Sequence, residues 1–168
     1  MFNIKTEFCL KIIFLLSFIA LISAYFIEYF LGYQPCNLCL IERIPYGLSI
    51  ILISVMFLQK KNEKFITLLL IITFIFSFAI SLYHFGIEQS FFEESAVCDV
   101  KNFSENVTKQ DLLNELSKKT ISCKDVTFRI FGLSLTSFNI AISLLFIITL
   151  IKIYFKNEKN KQQSRRIY

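Results

Sequence analysis

Four of the five cysteines in this chain are spaced for thiol chemistry. Cys36 and Cys39 form a Cys-x-x-Cys pair at the mouth of an apolar stretch, and Cys98 and Cys123 lie in the long polar loop. A single Cys-x-x-Cys pair suits zinc as well as disulfide exchange. Two pairs on one side of a membrane would instead make a relay, because a thiolate attacks a disulfide through a mixed intermediate and passes it on. Pro35-Cys36-Asn37-Leu38-Cys39 leads into a helix, where unpaired backbone N–H groups and the dipole favour a thiolate. Arg43 follows Cys39 by four residues, one helical turn, so its cation can face the same sulfur. Closing Cys98 onto Cys123 would restrain the unfolded chain by roughly 3 to 4 kcal/mol, so a structural staple is the plain alternative for that pair. A structural zinc site usually draws two close pairs, whereas these two loop cysteines stand 25 positions apart, and no metal is expected. Cys9 has no partner in this pattern and reads as a small buried hydrophobe.

The elements that position these residues follow from hydropathy. No Asp, Glu, Lys or Arg interrupts residues 12–27, 44–59, 65–87 or 130–151. A helix needs about 20 apolar residues to cross hydrocarbon. Leu38, Leu40 and Ile41 extend the second, shortest run backwards, leaving Glu42 and Arg43 at the interface. Phe accounts for 20 of 168 residues and only 18% are charged, too oily for an ordinary soluble domain. The expectation is an all-α integral membrane four-helix bundle, one domain over 1–168, with helices at about 10–31, 40–59, 65–86 and 130–153. The first apolar run lacks a small-residue cleavage site and reads as a retained helix.

Orientation follows from Lys and Arg in the short flanks. Lys5 and Lys11 precede the first helix, Lys60, Lys61 and Lys64 lie between the second and third, and Lys152, Lys156, Lys159, Lys161, Arg165 and Arg166 close the chain, with a basic tail at 154–168. These flanks belong in the cytoplasm, with both termini, which places loops 32–39 and 87–129 and both cysteine pairs outside. From Glu88 to Arg129 eight acidic residues outnumber six basic ones. The net charge of +5 therefore reflects mainly the basic tail, suited to an anionic lipid bilayer surface and no argument for nucleic acid. Within the long loop, Thr108-Lys-Gln-Asp111 resembles a capping box ahead of Leu112, Leu113 and Leu116, which predicts a short amphipathic helix on the membrane surface. An outward face in a bacterium is oxidising, and disulfides persist there.

Cys36-Asn-Leu-Cys39-Leu-Ile-Glu-Arg43-Ile-Pro45-Tyr46, Tyr83-His84-Phe-Gly86-Ile-Glu88, the paired loop cysteines and Phe131-Gly132-Leu133-Ser134 together resemble the DsbB family of disulfide bond formation proteins, over nearly the whole chain. In the related vitamin K epoxide reductase group the loop pair precedes the Cys-x-x-Cys pair; here it follows.

The resemblance implies an inner-membrane enzyme that reoxidises a periplasmic DsbA-like dithiol oxidase and passes the electrons to the quinone pool, ubiquinone or menaquinone. It implies that the partner thiolate attacks Cys98, that Cys123 then attacks Cys36, and that Cys39 is freed as a thiolate beside Arg43 and meets the quinone. His84, near the outer end of the third helix, is placed by the same resemblance near the quinone, where it could donate to a carbonyl or pass a proton. Glu42, Glu88 and Tyr46 fall in the same motifs. Two other readings share the topology: a quinone and thiol enzyme of the vitamin K type, and a non-enzymatic four-span scaffold with a stapled outer loop.

Overall fold

The computed structural model describes residues 4–59, 63–93, 98, 123–124, 129–130 and 132–167. Helix α1 spans Ile4–Tyr29, α2 Asn37–Ile41, α3 Ile44–Leu58, α4 Glu63–Glu88 and α5 Leu135–Ile167. Two short strands, β1 (Arg129–Ile130) and β2 (Leu133–Ser134), pair antiparallel with Arg129 opposite Ser134 and Ile130 opposite Leu133. Gly132, at φ +83°, supplies the left-handed residue that this turn requires. Among the described residues, four stretches are long and apolar enough to cross a membrane: Thr6–Tyr29, Asn37–Leu58, Glu63–Glu88 and Leu135–Lys156.

Helix α1 begins at Ile4 rather than near 10, and two further departures from the sequence expectation have physical reasons. The second span, expected as one helix over 40–59, is broken at Glu42 and Arg43. Pro45 has no N–H to offer the carbonyl four residues back, and it disfavours helical backbone at the residue before it, so α3 restarts with proline in its first turn. The last helix, expected from 130, begins at Leu135, because the β1–β2 hairpin occupies the preceding residues. It then continues through much of the basic tail to Ile167. The expected amphipathic helix around Thr108–Leu116 lies outside the described residues.

Helix α4 packs most extensively against α5, and α3 packs against both α1 and α4. Contact between α1 and α5 is sparse, so the bundle is open along that seam. Its inner half is apolar: Leu10, Ile13, Ile53, Met56, Leu70, Phe74, Phe146 and Leu150 are buried together. The Phe74 ring meets both Tyr46 and Phe146 edge-on, with centroids 6.1 and 4.9 Å away. Side chains such as Phe18, Ile22, Ile51, Phe65, Ile72 and Leu145 are exposed on the bundle's outside, as a lipid-facing surface requires.

Lipid removes most of the hydrophobic drive for helices to associate, so close packing and interhelical hydrogen bonds take over that task. Ser49 donates to Ser17 across the α1–α3 contact at 3.0 Å, and Ser77 meets Ser143 across α4–α5 at 3.1 Å. All four serines are fully buried. Along α4, Ser77, Ser81, His84 and Glu88 recur at spacings of three and four and so share one face. Thr136, Asn139 and Ser143 do the same on α5. The outer half of the α4–α5 interface is therefore polar where the inner half is not.

At the outer end of α4 the chain turns through Ser90, whose φ is 61°, and the Phe91 N–H returns to the Gly86 carbonyl at 2.8 Å. This turn lays Phe92 over Gly86 and stacks it on Tyr83 with ring centroids 5.8 Å apart. A Cβ on Gly86 would stand 2.3 Å from a Phe92 ring carbon, so glycine is required for the close approach.

Candidate active site

Cys36 caps α2. Its backbone is extended (φ −72°, ψ 167°), and its sulfur accepts the Cys39 N–H at 3.2 Å, as an N-cap acceptor does. The kink at Glu42 then points that side chain toward α4. There, His84 Nε2 lies 3.6 Å from Cys36 Sγ, and His84 Nδ1 lies 2.9 Å from Glu42 Oε1. Both ring nitrogens thus face groups that accept protons or hydrogen bonds. Asn139 Nδ2 donates to Glu42 Oε2 at 3.0 Å and to Ser81 Oγ at 2.7 Å, while Tyr46 donates its hydroxyl to Asn139 Oδ1. Thr136 donates to Glu88 Oε1 at 2.6 Å and sits 3.4 Å from His84 Nδ1. The network links α2, α3, α4 and α5, and His84 at its centre is 2% exposed. A partly satisfied buried network is costly, whereas this one answers nearly all its groups. The exception is Glu88 Oε2, buried without a hydrogen-bond partner.

The sulfur best served by these contacts is that of Cys36. The Cys36 thiol is lowered from its ordinary 9.0 to about 5, chiefly by the hydrogen bond from the Cys39 side chain and also by the hydrogen bond and charge of His84, with burial pushing the other way. A thiol so tuned is a thiolate at neutral pH and is the nucleophile and ligand form of cysteine.

Arg43 was expected to face Cys39. Its guanidinium instead pairs with Glu28 of α1 and lies over the Tyr25 ring, 5.0 Å from the centroid. Glu42 and Arg43 both keep right-handed helical backbone, so the departure lies in the side chain, which Glu28 and Tyr25 hold toward α1. Arg43 nonetheless lines the same cavity as Cys36, Cys39, His84 and Glu88. This cavity holds about 430 Å³ and lies along the open seam, walled on its apolar side by Ile19 of α1 and Ile142 of α5 among others. It is within the range of small-molecule sites, about 300–1,000 Å³, and combines an apolar wall with a few converging polar groups.

Cys98 and Cys123 form a disulfide with Cα atoms 5.6 Å apart. Both are buried, and they cluster with Cys36, Leu38 and Ile87, with Cys39 packed against the same group. Cys123 also reaches the cavity wall. All four cysteines singled out by spacing thus converge at one end of the bundle. Cys9 lies apart, packed against the inner core. Cys36 and Cys39 are free thiols.

Sequence reasoning found the cysteines, Arg43 and His84 but missed Glu28, Ser81, Thr136 and Asn139. The signal for the last three was present: polar residues recurring on one face of an otherwise apolar span mark a helix side turned inward. Glu28 carried a weaker one, a carboxylate closing the first apolar run.

The family described as "Disulfide bond formation protein DsbB" matches residues 6–153. A protein of Rickettsia prowazekii (strain Madrid E) named "Uncharacterized protein RP370" is 30% identical over 148 residues, which cover 87% of this chain and 86% of that relative.

Proposed function

The chain belongs to the DsbB family of disulfide bond formation proteins and is a membrane thiol oxidoreductase, and we propose that it reoxidises a DsbA-like periplasmic dithiol protein at the expense of membrane quinone. The observation that carries this reading is the convergence of Cys36, Cys39, Cys98 and Cys123 beside one cavity with a polar end and an apolar wall. The Lys-rich flanks argue for the inner membrane with both termini cytoplasmic, which leaves the cysteine end in the periplasm.

The exchange steps balance as ordinary thiol chemistry. A partner thiolate attacks Cys98 Sγ, the Cys98–Cys123 bond breaks, and Cys123 leaves as a thiolate. Cys123 then attacks Cys36 Sγ of an oxidised Cys36–Cys39 pair, and Cys39 is released. The partner's second thiol closes its own disulfide and releases Cys98, which returns to Cys123 and frees Cys36. The partner is oxidised, and the two electrons and two protons reside on Cys36 and Cys39. Cys36 is received as a thiolate by the Cys39 N–H and by His84, whose Nε2 stands 3.6 Å from it. Glu42 Oε1, 2.9 Å from Nδ1, keeps the ring in place and shares its proton.

A quinone bound in this cavity supplies the acceptor of two electrons and two protons that closes the cycle. Arg43 and His84 are the residues that would hold its oxygens, and Ile19 and Ile142 those that would hold its apolar part. The pairing of Arg43 with Glu28 sets the guanidinium at the cavity edge, which favours a role toward the quinone rather than toward the Cys39 sulfur.

The test is purification in mild detergent, identification of co-purified quinone by mass spectrometry, and stopped-flow quinone reduction with a reduced DsbA-type protein. Turnover that needs both quinone and partner supports the reading. Failure to reduce quinone with the Cys36–Cys39 pair reduced overturns it.

A further inference from the structure

Cys36 Sγ, Cys39 Sγ and a ring nitrogen of His84 lie within 4.8 Å of one another. In a tetrahedral zinc centre the thiolate and imidazole bond lengths put a sulfur–nitrogen edge at about 3.5 Å and a sulfur–sulfur edge at about 3.8 Å. The Cys36–His84 edge is already 3.6 Å. The ring is also held as metal-binding imidazoles are held: Glu42 engages Nδ1 at 2.9 Å and leaves Nε2 facing the sulfurs. Glu88 supplies a carboxylate next to the imidazole. Glu88 Oε1 is 3.8 Å from His84 Nε2, the Glu88 side chain is only 5% exposed, and its Oε2 is the buried oxygen without a partner.

We infer that the reduced Cys36–Cys39 pair, with His84, is a binding site for a thiophilic divalent cation of the zinc class. Two thiolates and an imidazole select such ions over magnesium or calcium, which prefer oxygen. Binding forms two sulfur–metal bonds and one nitrogen–metal bond, and two protons leave to solvent: that of the Cys39 thiol and the one held between Cys36 Sγ and His84 Nε2. No electrons move. The Cys36–Cys39 disulfide offers no thiolate, so the site exists only in the reduced form, and the cation stabilises that form by mass action. With both sulfurs committed to the metal, neither can pass electrons onward, so the cation holds the protein in an off state. This inhibitory role rests on the redox reading above; the binding site itself does not.

The experiment uses the full-length protein in detergent with cobalt(II) alone as the spectroscopic probe and zinc(II) as competitor. Reduced wild type is expected to bind one cobalt per chain, with a sulfur-to-cobalt charge-transfer band and the intense visible bands of tetrahedral cobalt. The same protein with Cys36 and Cys39 oxidised is expected to show neither, and this comparison needs no variant. The bands should persist in Cys98→Ala/Cys123→Ala protein, and Glu42→Gln should weaken binding about ten- to a hundredfold through the ring it orients. Absence of a cobalt–thiolate band in reduced wild type, or its persistence in Cys36→Ser/Cys39→Ser protein, overturns the site. Quinone reduction that runs equally fast with the zinc site filled overturns the off state. Cobalt binding in protein that never reduces quinone supports the site and overturns the redox reading instead.

Discussion

Replacing His84 by Gln should raise the Cys36 pKa, and by an amount the geometry allows to be worked out. His84 Nε2 stands 3.6 Å from the sulfur, and Glu42 engages the opposite nitrogen, the arrangement of an imidazolium between two acceptors. At an effective dielectric near 20, unit charges at that distance attract by about 4.6 kcal/mol, or ~3 pK units. Screening by the polar groups around the pair reduces this, so the expected rise is about 1 to 3 units. The Cys39 hydrogen bonds remain in the variant and keep the thiol below its ordinary 9.0. Cys36 should therefore titrate at about 6 to 8 instead of about 5, and at pH 6 most of the wild-type sulfur is thiolate while about half or more of the variant is protonated. The sign for reactivity is fixed: a lowered thiol reacts above its pKa and loses reactivity as pH falls through it.

The assay is the alkylation rate of Cys36 in the reduced protein against pH, resolved from the other cysteines by peptide mass spectrometry. Glu42→Gln, acting through the ring, should move the midpoint in the same direction by less, on the order of half a unit to one unit. The same linkage governs stability. The contribution of the Cys36 thiolate is fully present above the unfolded value near 9.0 and is lost as pH falls through the folded value of about 5. A wild-type midpoint near the ordinary thiol value, or a His84→Gln midpoint within about 0.3 units of wild type, would refute the assignment of His84 as the group that holds this thiolate.

Arg43→Ala should raise the apparent Michaelis constant for quinone about ten- to a hundredfold, the loss of one charge-assisted hydrogen bond of roughly 1.5 to 3 kcal/mol, with Lys restoring part of it. An unchanged constant would make Arg43 a partner of Glu28 and Tyr25 only. Cys98→Ser or Cys123→Ser should abolish turnover with the partner dithiol while leaving quinone able to oxidise the Cys36–Cys39 pair; normal turnover in stopped flow would reduce the loop disulfide to a staple. Because Cys98 and Cys123 are 5% and 2% exposed, a small thiol reductant should open their bond far more slowly than an exposed disulfide, measurable by mass-resolved alkylation over time. Gly86→Ala should displace Phe92 and forfeit its stack on Tyr83, about 0.5 to 1.5 kcal/mol, read as a lowered melting temperature with membrane insertion intact.

What could be read from sequence and what could not divide along range. The four spans were legible because hydrocarbon demands long apolar runs and tolerates little else. The cysteines were legible because pairs that share a side of the membrane leave few options. Pro45 was a visible signal for the break in the second span. The place of Arg43 was not: its own backbone stays in the right-handed helical region, and the guanidinium goes to Glu28, fifteen positions upstream on another helix. Glu42 meets His84 across 42 positions, a contact that no local rule could supply.

The placement of polar groups carries the functional argument further than the cysteines do alone. At the inner level, the α4–α5 contact is filled by Leu70, Phe74, Phe146 and Leu150, which a bundle needs only for packing. At the outer level the same two helices bury Ser81, His84, Glu88, Thr136 and Asn139 against Glu42 and Cys36. Replacing a buried ionic network by apolar residues of similar volume is often neutral or stabilising by about 1 to 4 kcal/mol, so stability gives no reason for the change in character between the two levels. A scaffold with a stapled loop would gain nothing from an imidazole locked between a carboxylate and a thiol. A site that must catch a thiolate and hold its proton nearby needs just those groups, at the polar end of a cavity that lies along the sparse α1–α5 contact.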